Sequence, residues 1–305
     1  MQNHTAVILM AYGSPNTMSD IPDYLVNVRS GRPPTQALID EVTARYENIG
    51  GSPLYPITQR IARKLGESID MPVHIGMLYW HPYLEDTVKQ MVAEGIHRLI
   101  AICLAPHYSE ISVGRYQARL KDTLSSTSQN VELHFIEHWH DQKEYLDGLA
   151  SLVQEGLRRF PSEGRDQVQI IFTAHSLPLS RLKDPSTYES QLKETVRAVA
   201  NLTSLPRERW MLAYQSARNQ DPSWLGPHLE TLLEETSTSD KQRILVAPIG
   251  FVTNNLEILY DIDVKLQEVA QNRGIQLKRM EMLNDSLPLV AALTSLVNQT
   301  SINDQ

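Results

Sequence analysis

Apolar residues fall in short runs separated by longer stretches in which they recur every three or four positions. The runs at 6–12, 73–80, 98–104, 131–136, 168–174, 210–215, 243–249 and 276–280 are rich in aliphatic and aromatic residues and predict strands. Their near-continuous apolar character predicts burial on both faces, as in a parallel sheet. The stretches at 35–49, 57–68, 83–93, 116–124, 143–159, 189–202, 224–235, 254–271 and 287–297 predict helices. One start is well marked. Pro82 precedes the segment at 83–93, and Glu85 and Asp86 lie in its first turn, where the helix dipole favours negative charge. Strand–helix alternation of this kind predicts the doubly wound α/β class with parallel sheets.

The order of short motifs suggests an internal repeat. The first strand ends in Met10-Ala11-Tyr12-Gly13-Ser14-Pro15 and the fifth in Thr173-Ala174-His175-Ser176-Leu177-Pro178. Later strands run Leu104-Ala105-Pro106-His107 and Val246-Ala247-Pro248-Ile249, in the same order in each half. Two similar α/β lobes, joined near 105–145, are the expectation. Ligands of open α/β sheets bind beyond the carboxyl ends of strands. Tyr12 and His175 are therefore expected on opposite walls of one cleft.

Composition narrows the function classes. With 28 basic and 36 acidic residues the formal charge is −8, which is no nucleic-acid footprint. Local Arg29, Arg32, Arg45 and Arg115 still suit an anionic small molecule. The single cysteine, Cys103, excludes an internal disulfide and an iron–sulfur cluster held by this chain's thiolates alone. No apolar run is long enough to span a bilayer, and the run at 6–10 is too short for a signal peptide. The expected location is the cytoplasm, away from any membrane.

His175 is the sharpest chemical candidate. It sits where an apolar strand ends, and neutral imidazole both ligates ferrous iron and accepts protons near neutral pH. The second candidate is the run Asn254-Asn255-Leu256-Glu257-Ile258-Leu259-Tyr260-Asp261. An asparagine caps the helix, and Glu257 and Asp261 stack along one face, able to pass a cation or share a proton. Tyr12 is the third, since a tyrosine oxygen serves as an axial ligand to porphyrin iron. No G-x-G-x-x-G after a strand, no Walker sequence and no G-x-S-x-G elbow is present.

Six segments together resemble the ferrochelatase family. They are Ala11-Tyr12-Gly13-Ser14-Pro15, Tyr46-Glu47-Asn48-Ile49-Gly50-Gly51-Ser52-Pro53-Leu54, Leu104-Ala105-Pro106-His107-Tyr108-Ser109, Thr173-Ala174-His175-Ser176-Leu177-Pro178, Trp224-Leu225-Gly226-Pro227, and Pro248-Ile249-Gly250-Phe251-Val252 running into Asn255-Leu256-Glu257. The resemblance implies two Rossmann-like, chelatase-like lobes around a porphyrin cleft. It places residues 1–110 and 280–305 in the first lobe, with a returning C-terminal helix, and 111–279 in the second. It implies His175 and Glu257 as the pair handling iron and pyrrole protons, and Tyr12 on the metal's other face.

The likeness is greatest to the soluble bacterial branch acting on coproporphyrin III. In that branch Tyr12 stands where protoporphyrin enzymes commonly carry an apolar residue. Arg29, Arg45, Tyr46, Ser52 and Tyr116, with Tyr12, match positions that hold propionates. Two departures from the family pattern appear: the Gly50-Gly51-Ser52 loop is shorter, and Lys265 stands where soluble relatives can carry a third acidic residue. The implied activity is insertion of ferrous iron, as substrate, into coproporphyrin III to give coproheme in haem biosynthesis. No tightly bound cofactor, a monomer, and a downstream coproheme-handling enzyme as partner go with it. The rivals are a protoporphyrin IX ferrochelatase, a cobalt or nickel chelatase for another tetrapyrrole, and a non-catalytic tetrapyrrole carrier.

Overall fold

The computed structural model describes residues 4–127, 129–217, 222–235 and 242–302. The chain divides into two compact units. The first holds 1–105, 112–139 and 284–305, and the second holds 106–111 and 140–283.

In the first unit, strands β1 (Thr5–Ala11), β2 (Val73–Met77), β3 (Arg98–Cys103) and β4 (Glu132–Ile136) form one parallel sheet in the order β2-β1-β3-β4. Residues 6–10 of β1 are fully buried, which explains their unbroken apolar run. The helices are α1 (Ile21–Val28), α2 (Gln36–Asn48), α3 (Leu54–Ile69), α4 (Leu84–Ala93), α5 (Val113–Ser125) and α10 (Leu287–Ile302). The step from β1 to β2 runs opposite to the steps from β2 to β3 and β3 to β4. Right-handed crossovers then send α3 to one face and α4 and α5 to the other. The contacts agree: α4 packs on α5, and α10 packs on α3.

The second unit repeats the plan. Strands β5 (Gln169–His175), β6 (Trp210–Gln215), β7 (Arg243–Pro248) and β8 (Gln276–Arg279) are parallel in the order β6-β5-β7-β8. Its helices are α6 (Lys143–Arg158), α7 (Pro185–Leu202), α8 (Leu229–Glu235), a π-helix (Glu257–Leu266) and α9 (Gln267–Asn272). Here α6 packs on α7, and α8 packs on α9, which continues directly from the π-helix. Both units are doubly wound and Rossmann-like, with the same strand order.

All eight expected strands form. Four differences from the sequence reading have physical causes. The second lobe was expected to start at residue 111, but β4 pairs with β3 and so keeps 112–139 in the first unit. Helix α1 is unexpected because only Ile21, Tyr24 and Leu25 mark its buried face, too short a run for a periodic signal. Helix α8 begins at Leu229 rather than near Trp224. The backbone before it is used otherwise: Trp224 bridges to Pro178, and Leu225 N–H donates to Leu177 O at 3.0 Å. Lastly, residues Glu257–Leu266 of the helix expected over 254–271 wind as a π-helix.

Candidate functional site

Each unit places its candidate residues at the carboxyl end of its inner strand, β1 or β5, where the strand order reverses. Open α/β sheets bind ligands at that point.

In the second unit, β5 is buried from Ile170 to Ala174 and emerges at His175. Its end is held from several sides. Gln215 is the register partner of His175 and accepts from Ser176 N–H at 2.8 Å through its carbonyl. The Thr173 hydroxyl donates to Gln215 Oε1 at 2.7 Å, and the Tyr188 hydroxyl of α7 donates to His175 O at 3.2 Å. His175 Nδ1 hydrogen-bonds to the Ser176 carbonyl. That contact fixes the tautomer and turns Nε2 toward Glu257, whose Oε1 lies 3.3 Å away.

A close backbone approach makes room for this pair. Gly250 follows β7, and a Cβ built on it would stand 2.7 Å from Ala174 Cβ and 2.9 Å from Ala174 Cα. Only a residue without a side chain fits against β5 just before His175.

Glu257 opens the π-helix. Of the two candidate capping asparagines, Asn255 is engaged: its Oδ1 accepts from Ile258 N–H at 3.0 Å. Ile258, Ile262 and Leu266 join Ala270 of α9 in a buried cluster with Leu229, Leu233, Val246 and Leu277. Glu257 and Asp261 keep the same four-residue spacing. Asp261 is buried and accepts from Ser216 Oγ at 2.7 Å. Rings flank the imidazole: Trp224 lies near parallel, at 6.4 Å and 20°, and Phe251 is tilted at 6.3 Å.

Burial works against a charged imidazole here. The Glu257 charge and hydrogen bond, the Ser176 carbonyl and the Asp261 charge override it and lift the His175 pKa from 6.5 to about 9. At neutral pH His175 is therefore an imidazolium paired with a carboxylate.

In the first unit, Tyr12 follows β1 and is 47% exposed. The chain turns at Gly13, with φ +90° and no room for a Cβ, which would stand 2.8 Å from Trp80 N. Tyr79 N–H donates to Tyr12 O at 2.9 Å, and the two rings lie 4.6 Å apart. Arg115 Nη1 donates to the Tyr79 hydroxyl at 2.7 Å. Tyr116, beside Arg115 on α5, is buried. Burial pushes its hydroxyl pKa well up, and Cys103, Tyr12 and Tyr79 add to the rise.

The other residues expected at propionates stand on separate segments. Arg29 follows α1, is exposed, and donates from Nε to Arg32 O at 3.3 Å. Arg45 lies in the last turn of α2, half-buried, beside the buried Tyr46. Ser52 is half-buried, and its Oγ accepts from Leu54 N–H at 3.3 Å at the start of α3. His107, read only as a weak cleft candidate, is buried in the second unit against the Thr195 hydroxyl at 3.0 Å. Sequence reasoning misses Ser216, Tyr188 and Tyr79, and offers Arg115 only as one of four local arginines suited to an anionic small molecule. The only signal for Ser216 is its place at a strand end.

A family model described as Ferrochelatase matches residues 4–301. The chain belongs to the ferrochelatase family. Enzymes of this family insert iron into porphyrin. A ferrochelatase of Herpetosiphon aurantiacus is 38% identical over 304 residues, covering 97% of this chain and 99% of its own length. A coproporphyrin III ferrochelatase of Geobacillus thermodenitrificans is 32% identical over 300 residues, covering 95% and 94%. The solved structure of SirB from Bacillus subtilis with Fe3+ aligns at TM-score 0.60 and 11% identity, over 98% of this chain and 96% of its own, a likeness of fold. No helix among the described residues is long and apolar enough to cross a membrane.

Proposed function

We propose that this chain inserts ferrous iron into coproporphyrin III, giving iron-coproporphyrin III and two protons. The observation that carries the iron chemistry is the His175–Glu257 couple at 3.3 Å, placed where β5 emerges from the sheet. An imidazole has no lone pair for iron while it is an imidazolium. His175 must first lose its proton, and Glu257 is the base in reach. The neutral imidazole then guides Fe2+ or accepts a pyrrole proton, with Glu257 balancing the charge.

The choice of acceptor rests on the first unit. Coproporphyrin III bears four propionates, and arginine's planar fork suits carboxylates. Arg29, Arg45, Tyr12 and Ser52 are the exposed or half-buried members of the propionate set, and Tyr46 and Tyr116 are its buried members. Tyr12 supplies a phenol oxygen able to meet the metallated product. Relatives named for coproporphyrin III at 32% identity favour the same acceptor. In this reading iron is substrate, no resident cofactor takes part, and a cytoplasmic monomer passes its product to a coproheme-handling enzyme.

The test is anaerobic mixing of the protein with Fe2+ and coproporphyrin III, with protoporphyrin IX in parallel, followed by loss of free-porphyrin fluorescence. Multiple turnovers, faster with coproporphyrin III, are expected. A preference for protoporphyrin IX would remove the acceptor assignment and keep the iron chemistry. Binding without turnover would make the chain a carrier.

A further inference from the structure

Helix α7 buries two kinds of residue. Leu192, Val196 and Val199 form an apolar face. Tyr188, Gln191 and Thr195, spaced to share one side of the helix, are buried as well. A buried polar group costs stability unless it is hydrogen-bonded, and each of the three is engaged. The Tyr188 hydroxyl donates to His175 O at 3.2 Å, and Gln191 Oε1 accepts from Tyr108 N–H at 2.7 Å. The Thr195 hydroxyl faces the carbonyls of His140 and Gln191 at 3.1 and 3.2 Å.

His107 completes the series. Its Nε2 lies 3.0 Å from Thr195 Oγ1. A carbonyl cannot donate, so the Thr195 hydrogen goes to a carbonyl and His107 brings its own on Nε2. Burial, with His140 nearby, holds the His107 pKa well below its ordinary value, so this imidazole is neutral. Its Nδ1 is buried with no hydrogen-bond partner among the described residues, which leaves the Thr195 bond as its polar tie. The His107 ring stands edge to face with Tyr188, at 6.4 Å and 87°.

The other end of the series is the His175–Ser176 peptide. Tyr188 holds its carbonyl, and Gln215 O holds its N–H at 2.8 Å. His175 Nδ1 is hinged on Ser176 O, just beyond that peptide. A tilt of the peptide therefore swings the imidazole and carries Nε2 away from Glu257. With Gln215 alone the carbonyl side would be free to tilt. Burial keeps the Tyr188 hydroxyl protonated, so it is a donor throughout the neutral range.

We propose that Tyr188 is a positioning residue of His175, and that His107, by clamping α7 through Thr195, is a positioning residue of Tyr188. The inference rests on the iron-insertion reading. It gives the buried polar side of α7 a task in the reaction: keeping His175 Nε2 on Glu257 while porphyrin and iron come and go.

The test measures anaerobic iron insertion into coproporphyrin III, and the ring NMR signals of His175 in the resting protein at pH 7. The wild type is compared with Tyr188→Phe, His107→Leu and His107→Gln. Tyr188→Phe keeps the ring and removes the donor. Its kcat should fall about tenfold, less than a full ångström of misplacement costs. Its KM for coproporphyrin III should stay as in the wild type, because the propionate set lies in the first unit. The His175 ring signals should move and broaden. His107→Leu should act the same way to a smaller extent. His107→Gln, whose amide N–H can still reach Thr195, should recover most of the rate, which a loss of packing alone would not allow. Should Tyr188→Phe not fold, the two His107 variants decide the question. An active wild type with the same kcat and His175 signals in Tyr188→Phe would overturn this inference alone, as would a loss confined to KM. Equal losses in His107→Leu and His107→Gln would overturn the part given to His107. An inactive wild type would overturn the iron-insertion reading and this inference with it.

Discussion

Glu257 Oε1 stands 3.3 Å from His175 Nε2, and this single contact decides the charge of the imidazole. Burial alone would lower the His175 pKa, and it is the largest influence on it. Replacing Glu257 by Gln removes the main opposing charge and leaves the weaker Asp261 and Ser176 contributions. The His175 pKa should then drop from about 9 to near or below 6.5. Histidine ring NMR across pH 5 to 10 measures it, and a value still near 9 in Glu257→Gln would remove Glu257 as the cause.

The same contact predicts how stability depends on pH. The folded pKa of His175 lies above its ordinary value, so folding binds a proton. The stabilisation is complete below pH 6.5 and is lost as pH rises through about 9. Its upper bound is about 3.5 kcal/mol, at roughly 1.4 kcal/mol per pKa unit. Solvent at the partly exposed pair reduces it. Denaturant titrations should show the wild type losing more stability between pH 6 and pH 9.5 than His175→Gln. Equal losses would mean that the pair forms in solution with little effect on the fold.

Gly250 carries a structural prediction with a functional readout. A methyl at this position meets Ala174 Cβ and Cα at 2.7 and 2.9 Å, and both belong to a buried central strand. Neither can yield as a flexible side chain would. Gly250→Ala should destabilise the second unit by about 1–3 kcal/mol and displace His175, the next residue along β5. Melting curves and the ring NMR of His175 would report both effects.

These relationships differ in how far the sequence disclosed them. The strands were legible because sheets buried on both faces need unbroken apolar runs, as in residues 6–10 of β1. His175 was legible because an imidazole directly after such a run stands out. The π-helix left a trace that is clear only in hindsight. Ile258, Ile262 and Leu266 recur every four residues, and a helix of 3.6 residues per turn would drift about 40° at each step. A wider winding keeps them, and with them Glu257 and Asp261, nearer to one stripe. The Ser216–Asp261 contact spans 45 residues and rests on a serine with no pattern around it. Nothing short of the fold brings those two together, and the same holds for Arg115 and Tyr79, 36 residues apart.

Removing the imidazole tests the division of labour. His175→Ala deletes the group that meets Glu257 while leaving Tyr12, Arg29 and Arg45 untouched in the first unit. Iron insertion should fall by at least about a hundredfold, the lower end of what a positioned proton-transfer group contributes. Porphyrin binding, read by fluorescence quenching at equilibrium, should change little. Insertion at the normal rate would show that another group handles iron and protons.

Tyr12 supports the sharpest prediction about the acceptor. Its ring rests on Tyr79 at 4.6 Å, and Arg115 holds the Tyr79 hydroxyl in turn, so the phenol is exposed on a supported base. Tyr12→Phe keeps the ring and removes only the oxygen. Its stability should stay within about 0.5 kcal/mol of the wild type, as for an exposed position. The iron-coproporphyrin product complex should then change its absorption spectrum, because a ligand oxygen is gone. Tyr12→Met replaces the polar ring by a flexible apolar chain, and it should lower the ratio of coproporphyrin III to protoporphyrin IX turnover. If both variants keep the wild-type product spectrum and the wild-type acceptor ratio, the phenol has no part in meeting the metal, and selectivity must come from Arg29 and Arg45.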